Sequence, residues 1–280
     1  VASERSSTFS EKLTSGITAL AFAPDGKTLA AGSQDFTLTY FDPAKNLAEV
    51  RRQPLQVTQG IPYPSSGYSR WYTGVTGLTF AADGKLLAAE TSNGALYIVT
   101  PDGTAPVEIP LHNEVFGKGG LVEMFGLAIS PVTGMPATGG YENAVRVWSN
   151  LPLWQATSQA GGLFNISHQA GTIQMTLLED SSVVTSLAYA PDGRLAAGTE
   201  KGLVRLWRAD GTLERTFSGH GGRVTGLAWA GETLVSASED GRVRFWQVSD
   251  GTQTRQLTLG VSVTSLALDG RGELLAVGVQ

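Results

Sequence analysis

The sequence predicts an all-β fold made of repeated four-stranded antiparallel units. Three observations carry that prediction. An apolar strand, a Pro/Asp-Gly turn, a second strand of small apolar residues and a third, alternating strand recur in that order along the chain. One leucine anchors each copy: Leu20, Leu78, Leu127, Leu187, Leu227 and Leu266. No ten-residue stretch has a helical period.

The copies are GITALAFAPDGKTLAAGSQDFTLTYFD from Gly16, GVTGLTFAADGKLLAAETSNGALYIVT from Gly74, MFGLAISPVTGMPATGGYENAVRVWS from Met124, VVTSLAYAPDGRLAAGTEKGLVRLWR from Val183, GHGGRVTGLAWAGETLVSASEDGRVRFWQ from Gly219 and VTSLALDGRGELLAVGVQ from Val263. Each element has a physical reason. In the first strands TALAF, TGLTF, TSLAY and TGLAW, small and large apolar residues alternate with the period of two expected of a strand packed between sheets. In PDGK and PDGR, proline fixes φ and glycine accepts a positive φ. LAAG is a short strand of small residues suited to a crowded inner position. RVRFW and LVRLW place arginine on one face and apolar groups on the other. Successive leucines lie 58, 49, 60, 40 and 39 residues apart. The two shortest intervals match the ~40–45-residue period of four-stranded propeller blades, and the longer ones imply insertions.

Composition limits the function classes. The 280 residues are 41% hydrophobic and 16% charged, with 35 glycines and 12 prolines, as in a folded, turn-rich globule. A net charge of −5 argues against a nucleic-acid binder, which needs a basic face. No apolar run approaches the ~20 residues of a membrane-spanning helix, so no membrane insertion is expected. The first residues lack the basic-then-apolar order of a signal peptide. Without cysteine there are neither disulfides nor thiolate metal sites. A cytoplasmic location is expected.

Six copies in register resemble WD40 repeats over nearly the whole chain. The resemblance implies an all-β β-propeller of four-stranded antiparallel blades, with about six blades visible and a seventh possible in a longer chain. It also implies a hydrogen-bonded clamp within a blade, carried here by His220, Ser238 (or Ser236 on the same face), Asp240 and Trp246. A metal site and a catalytic triad are the other readings of that segment. The structural clamp is preferred, because buried polar groups need partners and a nucleophilic serine needs a cleft. The other copies depart from the pattern. Trp148 and Trp207 keep the third-strand tryptophan without a matching histidine, Phe41 and Val99 replace it, and Lys201 stands in place of the turn aspartate.

The sixth copy stops after its second strand. The last blade is therefore expected to be incomplete and closed by an N-terminal strand around Thr8–Ser10, because Phe9 precedes Leu20 much as Phe217 precedes Leu227. The chain is expected to be a single propeller domain over 1–280 and a fragment of a longer polypeptide. Insertions are expected at about 56–73, 112–120 and 151–170. The first two would share a rim and bring together Tyr63, Tyr68, Arg70, Trp71, Tyr72, His112, Phe116 and Lys118, and tyrosine, tryptophan and arginine are the types enriched at binding hot spots. The bland alternative is that these aromatics anchor their own loop. The third insertion, with Trp154, Phe164 and His168, would project from the opposite face. No cluster of residues has metal-ligand spacing, and no cofactor motif is present.

The expected function is a non-catalytic protein–protein interaction scaffold with protein partners. A sensor or regulatory propeller of a larger signalling protein is the alternative, and an enzyme with a site at the channel mouth ranks last.

Overall fold

A computed structural model describes residues 15–55, 74–84, 87–91, 96–100, 107–109, 124–140, 144–149, 172–178 and 182–280. Among the described residues, five antiparallel sheets of four strands and one of two strands follow one another along the chain. The first blade holds β1 (Ile17–Phe22), β2 (Leu29–Ser33), β3 (Thr37–Asp42) and β4 (Ala48–Pro54). The second holds β5 (Val75–Phe80), β6 (Leu87–Thr91), β7 (Leu96–Val99) and β8 (Val107–Ile109). The third holds β9 (Met124–Ile129), β10 (Pro136–Gly140), β11 (Ala144–Ser149) and β12 (Thr172–Leu178). The fourth holds β13 (Val184–Tyr189), β14 (Leu195–Thr199), β15 (Val204–Trp207) and β16 (Leu213–Phe217). The fifth holds β17 (Val224–Ala230), β18 (Thr233–Ser238), β19 (Arg242–Gln247) and β20 (Gln253–Thr258). The sixth holds β21 (Val263–Leu268) and β22 (Leu275–Val279). Among the described residues the only helical segment is a single 3₁₀ turn, Pro43–Lys45.

The six first strands touch in the order β1, β5, β9, β13, β17, β21 and back to β1. They line one central channel, with Leu20, Leu78, Leu127, Leu187, Leu227 and Leu266 all on its wall. The ring is a β-propeller, closed between the first and last blades. There Ala267 joins Leu29, Ala31 and Phe41 in one apolar cluster, with Ile17, Leu20 and Ala276 packed on it.

Strand alternation sends the two faces of each blade to different neighbours. Leu195, Ala197 and Trp207 of the fourth blade meet Ala128, Ala137 and Val145 of the third. Ala196, Val204 and Leu206 face the fifth blade and meet Leu234 and Trp246. A second strand so placed has no solvent face, which is why LAAGS and LAAGT are buried at every position. It must also be thin. A Cβ on Gly32 would meet Val75 of the next blade, and one on Gly139 would meet Val184. The Asp-Gly turns form as the sequence requires: Gly193, at φ 90°, closes the turn between β13 and β14.

Residues 1–14 lie outside the described part of the chain, and with them the N-terminal strand expected to close the last blade. The three insertions also lie outside it. Several strand expectations match the observed elements: TIQMTLL is β12 and LERTF is β16.

Candidate functional site

The fifth blade holds its polar groups in one chain of hydrogen bonds. The connection from β16 to β17 brings His220 against β18 and the turn that follows it. The indole Nε1–H of Trp246 donates to Ser236 Oγ at 2.8 Å. Ser236 Oγ lies 2.8 Å from His220 Nε2, and His220 Nδ1 lies 3.1 Å from Asp240 Oδ2. Asp240 also accepts from the backbone N–H of Gly221 and of Arg242, both at 3.0 Å. A carboxylate only accepts, so the His220 proton sits on Nδ1 and Nε2 accepts from the serine. Every donor then points the same way, from tryptophan to aspartate. The indole ring is wedged 5.5 Å from the Phe217 ring.

Burial holds the His220 pKa below its ordinary value, against the pull of Asp240. For Asp240 burial pushes upward, but the Gly221 N–H and His220 outweigh it, so its carboxyl sits below its usual range. The neutral imidazole and ionised carboxylate that the bonding pattern needs are thus the forms present at neutral pH.

Of the two serines that the sequence offered, the link between His220 and Trp246 is Ser236 and not Ser238. Trp246 pairs across the sheet with Leu234, so its indole reaches the residue two further on, Ser236. Ser238 is occupied elsewhere. Its hydroxyl donates to the Gly222 carbonyl at 3.0 Å and accepts from the Asp240 N–H at 3.1 Å, tying down the turn.

Serine, histidine and aspartate stand here in the order of a nucleophilic triad, but Ser236 is 0% exposed and its oxygen is already engaged by the indole. No substrate carbonyl can reach it, and the group acts as a brace. Among the described residues no group of three or more metal-ligating side chains comes together. Nor is any described helix long and apolar enough to cross a membrane. The eight rim residues, Tyr63, Tyr68, Arg70, Trp71, Tyr72, His112, Phe116 and Lys118, lie outside the described residues.

A second brace escaped the sequence reading. In the third blade, the Trp148 indole donates to Thr138 Oγ1 at 2.8 Å, both groups being buried. Thr138 and Ser236 hold the same register position opposite their blade's third strand, ten residues before the tryptophan. A hydroxyl at that spacing was the available signal. The position is Ala197 ahead of Trp207, Ala31 ahead of Phe41 and Ala89 ahead of Val99.

Three stretches of the chain, residues 3–42, 171–208 and 211–247, match the model of the WD40 family, described as WD domain, G-beta repeat. The last of them contains the whole His220–Trp246 brace. WD40 repeats thus stand at three places in the chain. Over 163 residues, 54% of this chain, it is 28% identical to the F-box-like/WD repeat-containing protein TBL1X of Mus musculus, covering 28% of that protein. Over 201 residues, 65% of this chain, it is 26% identical to Protein tipD of Dictyostelium discoideum, covering 30% of it. Over 101 residues, 28% of this chain, it is 34% identical to the probable cytosolic iron-sulfur protein assembly protein 1 of Cryptococcus neoformans, covering 23% of it. The chain thus spans less than a third of the length of each of these relatives. Its first blade shows how far a WD40 blade can depart from the full brace. There Asp35 remains at the turn, accepting from Ser33 and from the Thr37 N–H, while Ala31 and Phe41 replace the hydroxyl and the indole.

Proposed function

We propose that this WD40 propeller is a non-catalytic scaffold for protein–protein interaction, with the connections entering the second and third blades as its partner-binding rim. The observation that carries the reading is topological. In each blade the chain runs from the inner strand outward, so every passage from an outer strand to the next inner strand leaves by the same rim. Two of these passages are long: β4 ends at Pro54 and β5 begins at Val75, and β8 ends at Ile109 and β9 begins at Met124. They are consecutive in the ring. Their sequences supply Tyr63, Tyr68, Arg70, Trp71, Tyr72, His112, Phe116 and Lys118, and a rigid ring does not need them for closure. The family resemblance and the brace's lack of solvent access support the same reading.

The test is Trp71→Ala. It should weaken capture of the partner while leaving the melting temperature nearly unchanged. A loss of several kcal/mol of stability, as for a buried aromatic, would mean that the loop packs on itself and would remove the binding role. The proposed compartment is the cytoplasm, where a chain built without disulfides is at no disadvantage. Imaging of the tagged full-length protein tests that placement.

A further inference from the structure

Four of the six seams between blades are tied in the same way. The threonine at the second position of one inner strand donates to the carbonyl of the first residue of the next. Thr18 Oγ1 reaches the Val75 carbonyl at 2.6 Å, Thr185 that of Val224 at 2.5 Å, and Thr225 that of Val263 at 2.9 Å. At the seam that joins the two ends of the ring, Thr264 Oγ1 reaches the Ile17 carbonyl at 3.1 Å.

The two remaining seams flank the third blade. Thr76 of the second blade holds the right position, but its hydroxyl is buried and makes no hydrogen bond among the described residues. In the third blade the position is Phe125, which has no hydroxyl to give. The slot on the second strand that packs against the next blade is Gly32, Gly139, Gly198, Ala237 and Gly278 in five blades. What Phe125 does receive is a cation. The guanidinium of Arg223, which precedes β17 in the fifth blade, lies 4.4 Å from the centre of its ring. Both residues are buried, at 8% and 5% exposed. The contact bridges over the fourth blade and fastens the third to the fifth.

We propose that the third blade is the opening element of the ring, latched by Arg223 on Phe125, and that it opens ahead of the seam between the chain ends. The usual expectation for a closed ring is the reverse, since the closing seam has no covalent connection across it. Here that seam keeps its threonine bond, and the third blade lacks one on both sides. A buried hydrogen bond has a definite opening cost, and a blade without it opens more often. The cation–π contact is the replacement.

Hydrogen exchange of the intact protein, read by mass spectrometry, tests this. Amides of β9, β10 and β11 should exchange about tenfold faster than those of β1, β2 and β21, the change expected for one buried bond. Arg223→Gln should raise exchange in β9–β11 severalfold further and leave β21 and β22 unchanged. Phe125→Thr, which supplies a hydroxyl for the Val184 carbonyl, should slow exchange in β9 and β13. Thr264→Val should speed only β1, β2, β21 and β22. Exchange in β1 and β21 as fast as in β9–β11 in the unaltered protein would overturn the proposal. So would an Arg223→Gln protein whose third blade exchanges as before, and that variant needs no repacking of the channel wall.

Discussion

Ser236 has one proton to give and two lone pairs to receive, and the fifth blade uses both capacities in one direction. It accepts from Trp246 and donates to His220. Replacing it with alanine strands an indole N–H and an imidazole nitrogen in a dry seam. Ser236→Ala and Trp246→Phe should each cost about 1–3 kcal/mol, and the double mutant should lose clearly less than the sum, because both act on one bond. Ser238→Ala with Trp246→Phe should be close to additive. Denaturant melts of the two mutant cycles decide the matter, and strict additivity in the Ser236 pair would remove the brace. The same residues set a pH dependence. The folded pKa of His220 lies below its unfolded value, so as pH falls below about 6.5 the unfolded chain takes up a proton that the folded one excludes, and stability is lost. The folded Asp240 carboxyl is also lowered, so a second loss follows as pH falls below about 3.9. The two signs agree. Urea midpoints should therefore be flat above pH 7 and decline toward pH 5, and His220→Gln should remove the first part of that decline.

At the scale of strands and blades, the sequence is legible where packing leaves no choice. A second strand buried on both faces must be thin and apolar, so LAAG and its variants repeat and announce each blade. The register leucines and the Asp-Gly turns repeat for equally local reasons. Gly198 shows how tight the constraint is. A Cβ there would run into Val224 of the next blade and the Ser186 hydroxyl. Gly198→Val should cost about 1–3 kcal/mol or more by overpacking, measurable as a lower melting temperature with the fourth and fifth blades most affected in hydrogen exchange. The choice between Ser236 and Ser238 was not legible in the same way. They lie two apart on one face, and only the pairing of Trp246 with Leu234 separates them. Thr138 was missed because its blade has no histidine to mark it, although its spacing from Trp148 equals that of Ser236 from Trp246. The threonine ties between blades join residues whose positions in the chain differ by 38, 39 or 57, and, at the ring closure, by 247. No local pattern reports such a pair until the blades are placed in a ring.

At the scale of the whole molecule, a ring gains its rigidity from closure. Each blade buries both faces against its neighbours, and the absence of an open end in the inner circle spares the first strands an exposed edge. A rim held in this way can present long connections at fixed spacing, which is what a scaffold requires. The proposed role therefore depends on the first and sixth blades meeting. Their turns come together where a Cβ on Gly26 would touch Asp269 and Arg271. The chain has no cysteine, so Lys27→Cys and Arg271→Cys, both at exposed positions, form an unambiguous pair for a short bis-maleimide. The closed ring predicts a rapid intramolecular cross-link in the folded protein, with a yield independent of protein concentration and abolished in urea. A folded protein in which the two thiols do not join, or join only between molecules, would contradict the closed six-bladed ring.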